Sequence, residues 1–304
     1  MSDLKASVMS SYQGVLNIVY ALGNSRSGKG TICSAACEVE GVRTIDQGLK
    51  FRILTFLALS SCIDTENPVA IANFLAHPDT EKNLLEGSIW AAQASKDEVN
   101  AYLYQDPDIK NNVSKLALAQ ESHQLVEEAL LQQLAAYRED TEVSAVFVDG
   151  RGLENAAIRA RKESLGYDIL RLFITCDPEV AAQRSLGLVN NGELTEDQLN
   201  LIREETASIT RRNWDDTHRK LNPLLDPANE ANGMDYVTYE VSMLGSLHEV
   251  RGLNSPETTI RIDTTHLSYK EVLALGRELG ELASSLVLVS GCMPFFELKE
   301  VGAA

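Results

Sequence analysis

The chain has 304 residues, of which 44 % are hydrophobic and 23 % charged, and it carries a formal net charge of −17. Those proportions suit a soluble globular protein long enough for one large α/β domain with insertions, or for two small domains. So acidic a surface repels phosphate backbones and excludes a general nucleic-acid binder, so any site for an anionic ligand has to be assembled from a local cluster of Arg and Lys.

The opening "MSDLKASVMSSYQG" has no apolar signal core, and no stretch reaches about 18 consecutive apolar residues, so no membrane span is expected. "GVLNIVYAL" (14–22) reads as a buried strand. After a glycine-bearing loop, "KGTICSAACEVE" has helical character, with Cys33 and Cys37 four apart as small core residues. The five Cys include no CxxC pair, a cytosolic pattern rather than a disulfide framework. "VRTI" (42–45) is a second strand, ending at Asp46, and "GLKFRILTFLALSSC" (48–62) has helical apolar spacing. Residues 64–140 read as polar helices without a strand, with one long amphipathic helix over 113–137. "VSAVFVD" (143–149) and "DILRLFIT" (168–175) are strong strands. Asp177 and Pro178 form the N-cap and first turn of a helix. Thr195 and Gln198 fit a capping box that opens a helix over 194–219. Residues 226–257 read as irregular, "TTIRIDT" (258–264) as a strand and 267–286 as a capped helix. Strands alternating with helices imply a parallel sheet in three layers.

The stretch with the most chemistry is "GNSRSGKGT", residues 23–31. It has the G-x-x-x-x-G-K form of a phosphate-binding loop, between a strand and a helix as such a loop requires. Gly23 and Gly28 supply backbone freedom where side chains would collide with phosphate. Backbone N–H groups and the helix N-terminus offer an anion cradle, and Lys29 can reach the transferring phosphates. The hydroxyl expected directly after the lysine comes one residue late: Gly30 precedes Thr31. Six Arg could complete the anion site: Arg52, Arg151, Arg184, Arg211, Arg212 and Arg219. Arg151 follows a strand that ends in Asp149, on the rim where ligands of open α/β sheets bind. Guanidinium forks suit phosphate and its transition states. Trp90 and Trp214 read as packing residues, and His218 as a solvated helix histidine.

Six segments, in order, give the chain a resemblance to the cytidylate kinase family of nucleoside-monophosphate kinases, over about residues 15–285. "GNSRSGKGT" resembles the family's G-P-S-G-S-G-K-G-T loop, and "IDQGLKFR" its L-D-T-G-A-M-Y-R. "NVSKLA" resembles a helix head with a base-contacting serine, and "FVDGRG" the family's A-D-G-R-D. "RRNWDDTHRKLNPL" resembles the R-D-x-x-D-x-x-R-x-x-x-P-L lid, and "IRIDTTHLSYKEV" the final strand and helix.

The resemblance implies an α/β, three-layer P-loop NTPase fold with a five-stranded parallel sheet, a helical acceptor-binding insertion and a lid. It implies a core of 1–63, 141–185 and 258–286, an insertion of 64–140 for the monophosphate, and a lid of 186–222. An irregular insertion of 223–257 and a tail of 287–304 exceed the usual family length. Its implied activity is transfer of the γ-phosphoryl group of ATP to a pyrimidine nucleoside monophosphate, CMP or dCMP above all. Gly23, Ser27, Gly28, Lys29, Gly30 and Thr31 would hold ATP. Ser25, Asp46, Arg52, Ser114, Asp149, Arg151, Arg212 and Asp216 would meet the acceptor. Lys29, Arg151, Arg184, Arg212 and Arg219 would neutralise charge during transfer. Mg would be held mainly by nucleotide phosphates and water, with no protein metal cage. The implied partners are small-molecule nucleotides, not nucleic acid or membrane, and a cytoplasmic monomer is expected.

The chain departs from the family pattern at Gly152, Phe51, Gln47 and Glu127, mainly where the base would be read. Two other readings stay open: a P-loop kinase of another small-molecule acceptor, and a catalytically weak nucleotide-binding protein whose added segments serve partners.

Overall fold

The structure is a computed structural model that describes residues 16–150, 167–189, 192–221, 223–229, 236–239 and 259–285. Its strands are β1 (Leu16–Gly23), β2 (Val42–Asp46), β3 (Ala145–Asp149), β4 (Tyr167–Thr175), β5 (Tyr236–Tyr239) and β6 (Thr259–Asp263). β1 is buried along its whole length, the continuous apolar run of a strand covered on both faces. The sheet order is β2-β3-β1-β4-β6-β5. β1 pairs parallel with β3, Asn17 opposite Ala145, and with β4, Leu16 opposite Tyr167. β6 pairs parallel with β4 and with β5. The loops after β1, β3, β4 and β6 therefore leave from one edge of the sheet.

This is the expected α/β arrangement, and the five expected strands are all present. The difference is at the edge. β5 adds a sixth strand within residues read as irregular, its Tyr236 opposite Thr259. Four residues are too few to show a strand period, and the pairing partner lies more than 20 residues further on.

Two helices close the phosphate-loop side of the core. Helix α1 (Lys29–Ala36) and helix α10 (Tyr269–Ser285) share one buried cluster with Val19, Ala21, Phe147, Leu172 and Ile262. Their approach is set by two glycines one helical turn apart. A Cβ on Gly276 would lie 2.6 Å from the Ala35 Cβ and the Ile32 carbonyl oxygen, and one on Gly280 2.7 Å from the Ala36 carbonyl oxygen. Asn17 of β1 donates to the Ala283 carbonyl at 2.8 Å and fastens the far end of α10. Ser268 and Glu271 form a reciprocal cap at its start. Between β4 and β5 lie α8 (Pro178–Ser185), capped by Asp177, and α9 (Glu196–His218), opened by the Thr195–Gln198 capping box. Both caps match the sequence reading.

The described chain divides into two compact units, with boundaries at 44/45 and 136/137. The 45–136 unit is helical: α2 (Gln47–Ser60), α3 (Pro68–Leu75), α4 (Pro78–Gln93), α5 (Lys96–Val99), a π-helical turn (Asn100–Tyr104), α6 (Pro107–Leu116) and the start of α7 (Gln120–Glu139). It begins earlier than residue 64 because α2 puts Ile53, Leu54 and Ala58 into one core with Ile71, Leu84, Leu116 and Val126. The single helix expected over 113–137 is instead α6 and α7, broken at 117–119. No Gly or Pro marks the break. His123 Nε2 takes the Ala117 carbonyl at 2.8 Å, and both helices then turn apolar faces to the same core. No helix among the described residues is long and apolar enough to cross a membrane.

Candidate functional site

The loop after β1 is built by close approach and by left-handed turns. Gly23 has φ 134°, and a Cβ there would sit 1.9 Å from the Ile174 carbonyl oxygen of β4, so no side chain fits. The Asn24 N–H donates to that carbonyl at 3.0 Å. Arg26 and Gly28 also have positive φ, 60° and 94°, and Gly28 is the N-cap of α1. The chain thus curls over the first turn of α1 and presents its amides around the helix N-terminus, where backbone dipoles favour an anion.

Lys29 is 8 % exposed. Its Nζ donates to the Gly23 carbonyl at 2.8 Å and to the Asn24 carbonyl at 2.7 Å, folded back onto the loop. The Ser27 hydroxyl donates to the Asn24 carbonyl at 2.8 Å. Gly30 opens toward β3: an added Cβ would lie 3.7 Å from Asp149 Oδ2. Asp149 and the loop are therefore neighbours at the carboxyl edge of the sheet. Thr31 follows, partly buried, in the first turn of α1.

α9 reaches the loop from the other side. The Ser25 N–H donates to Asn213 Oδ1 at 2.8 Å, and Arg26 lies 3.8 Å from Glu205. Asn213 precedes the Asp215-Asp216 pair and follows Arg212, so one helix carries both the contact and the expected lid residues. Arg212 is exposed and Asp216 half-buried. Arg219 Nη1 lies 3.7 Å from Asp216 Oδ1, and burial lowers the Arg219 pKa from its ordinary value. Trp214 is 61 % exposed and stacks on His218, ring centroids 4.2 Å apart. That corrects its reading as a packing residue: the i, i+4 spacing lets it pack on its own helix while facing water. Trp90 is likewise 41 % exposed, edge-on to Tyr102.

Arg184, on α8, does something other than project from its helix. Nη1 donates to Cys176 Sγ and Thr264 Oγ1, both at 3.3 Å. Nη2 donates to the carbonyls of Thr264, Thr265 and Leu267 at 2.6, 3.1 and 2.6 Å. Burial raises the Cys176 thiol pKa, with the Arg184 charge opposing it. Arg151 and Gly152 lie outside the described residues.

The 45–136 unit carries a second cluster. Asp46 ends β2 and caps α2, its Oδ1 accepting from the Leu49 N–H at 3.1 Å. The Tyr104 hydroxyl donates to Asp46 Oδ2. Arg52 Cζ lies 4.3 Å over the Tyr104 ring, and its Nη1 donates to the Leu103 carbonyl at 3.3 Å. Tyr104 closes the π-helical turn, a feature frequent at functional positions, and sequence reasoning missed it. Lys50 was missed too. It is 3 % exposed, with Nζ 2.7 Å from Gln133 Oε1 and 3.5 Å from Ser88 Oγ. Burial lowers its pKa to about 8, against the opposing charge of Asp46. Ser114 is exposed on α6.

Comparison with known proteins identifies the family. The family profile described as cytidylate kinase matches residues 21–244. A cytidylate kinase of Serratia proteamaculans is 27 % identical over 237 residues, covering 76 % of this chain and 94 % of the relative. One from Pseudomonas putida is 29 % identical over 235 residues, covering 75 % and 91 %. One from Shewanella piezotolerans is 25 % identical over 260 residues, covering 85 % and 92 %.

Proposed function

The chain belongs to the cytidylate kinase family of nucleoside-monophosphate kinases, and from that premise we propose that it transfers the γ-phosphoryl group of ATP to CMP or dCMP. The observation that carries this reading is the loop of 23–31: left-handed Gly28 caps α1, Lys29 lies across the loop mouth, and the Asp149 carboxylate stands beside Gly30.

Phosphoryl transfer between two phosphates needs no protein nucleophile, because the attacking oxygen is already an anion; it needs positioning and charge neutralisation. Gly23, Ser27, Gly28, Gly30 and Thr31 are assigned to the ATP phosphates, with Lys29 swinging from its loop carbonyls to the β/γ oxygens. The oxygen donors at hand, the Thr31 hydroxyl and the Asp149 carboxylate, suit Mg held mainly by phosphates and water. Ser25, Asp46, Arg52, Ser114, Asp149, Arg151, Arg212 and Asp216 are assigned to the acceptor, and Lys29, Arg151, Arg212 and Arg219 to charge neutralisation. Residues 64–140 would carry acceptor contacts, and 186–222 would act as a lid that excludes water. A cytoplasmic monomer suffices for this chemistry.

A second reading, a kinase of another small acceptor, is favoured by Lys50, which stands where the family pattern has an apolar residue, and by Glu127. A coupled ADP-release assay with ATP and a panel of CMP, dCMP, UMP, AMP and non-nucleotide acceptors separates the two. The proposal expects the highest kcat/KM for CMP or dCMP. A higher value for a non-pyrimidine acceptor overturns it in favour of the second reading.

A further inference from the structure

We propose that Arg184 is a positioning residue, acting through Thr264 to aim the Gly28 amide into the phosphate loop, rather than a group that touches the transferring phosphate. The five contacts of the two terminal nitrogens go to the β6–α10 connection and to Cys176, and because Nη2 has only two N–H groups for three carbonyls, one of them is shared. Nη2 gathers the carbonyls of Thr264, Thr265 and Leu267 while Nη1 reaches Thr264 Oγ1, two positions that a planar fork spans at once and a single ammonium nitrogen cannot.

The consequence for the loop passes through one hydroxyl. Thr264 is fully buried. Its Oγ1 accepts from Arg184 Nη1 and lies 2.8 Å from the Ser27 carbonyl, to which it donates, with the Thr175 carbonyl at 3.1 Å as alternative acceptor. A hydroxyl that accepts from a cation becomes a stronger donor. The Ser27–Gly28 peptide is trans, so its N–H points opposite to its carbonyl. Pinning the Ser27 carbonyl on Thr264 therefore turns the Gly28 N–H away from Thr264. Gly28 has φ 94° and Ser27 is fully buried, so this is the peptide whose orientation most needs an external hold. The Asn24 side chain adds a parallel tie, donating to Thr175 Oγ1 at 3.0 Å.

The inference rests on the loop being the nucleotide cradle of the proposed function, and two measurements keep them separable. The first is hydrogen exchange of loop peptides spanning 23–29, without nucleotide. Arg184→Ala and Thr264→Val should both speed exchange there, whereas Thr264→Ser, which keeps the hydroxyl, should not. Unchanged exchange in Arg184→Ala and Thr264→Val overturns the inference whether or not the protein binds ATP. The second is ATP affinity by calorimetry. Arg184→Ala and Thr264→Val should each weaken it about five- to thirty-fold, the scale of one lost charge-assisted contact. The double variant should lose no more than the worse single one, because both act through the same bond. Thr264→Ser should stay within about twofold, and Arg184→Lys should not rescue, because one ammonium cannot replace the fork. Additive losses, or a kcat lowered about 100-fold in Arg184→Ala with ATP affinity unchanged, would show a direct phosphate contact and overturn it. Wild-type protein that binds no ATP refutes the proposed function alone and leaves exchange to decide on Arg184.

Discussion

Replacing Lys50 with methionine probes the buried cation of the 45–136 unit. Lys50 is 3 % exposed, and burial lowers its pKa from 10.5 to about 8. The sign follows from linkage. Between those two values the unfolded chain holds a proton that the folded chain has released, so stability rises with pH across that window. Below pH 8 both states are charged and the folded state bears the whole penalty, about 3 kcal/mol for a shift of this size. By pH 10 most of the unfolded-state difference has gone, and the penalty falls to about 1 kcal/mol. Lys50→Met removes the charge at every pH but also removes a donor from Gln133 Oε1, which costs about 1–3 kcal/mol. The variant should therefore be between equal to wild type and about 2 kcal/mol more stable at pH 7, and its advantage should shrink by about 2 kcal/mol by pH 10. Urea unfolding at pH 7, 9 and 10 measures this, in a Trp214→Phe background so that Trp90 reports the unit containing Lys50. A gap between the two proteins that is constant from pH 7 to pH 10 refutes the reasoning.

Lys29→Met should lower kcat about 100-fold or more while far-UV circular dichroism stays unchanged; near-normal turnover would remove Lys29 from the reaction. Gly276→Ala should destabilise the protein by about 1–3 kcal/mol or more, because its Cβ meets backbone at 2.6 Å, and a lowered Tm by scanning calorimetry checks it. Alkylation mapped by mass spectrometry should label exposed Cys62 before Cys37 and Cys176, whose thiols burial pushes up, Cys37 to about 11; faster labelling of Cys176 than Cys62 would contradict the burial described.

What was legible in the sequence is what local rules encode. Apolar runs marked five strands, glycines and a lysine marked the loop, and Asp177 and Thr195 marked two helix starts. What was not legible depends on partners far along the chain. The Ser25 amide meets Asn213 across 188 residues, and nothing near either residue announces the other. β5 exists because β6 offers an edge, not because four residues demand a strand. The break between α6 and α7 is satisfied by the His123 ring rather than by a glycine. Arg184 shows the limit most sharply: a guanidinium looks the same in sequence whether phosphate or backbone carbonyls receive it. Tyr104 and Lys50 were missed for a related reason, since a phenol or an ammonium inside a helical segment reads as surface until burial is known.

The two glycines of α10 have a consequence for how the chain is made. The helix that bears Lys29 emerges early in synthesis, but the surface that covers it is some 240 residues later, where Gly276 and Gly280 meet Ile32, Ala35 and Ala36. During all that time the flank of α1 that meets α10 has to wait, shielded by provisional contacts or by a chaperone. Contacts of such long sequence separation slow folding, so a ribosome stalled before residue 276 would hold a chain with all of residues 23–31 present and the α10 side of α1 uncovered.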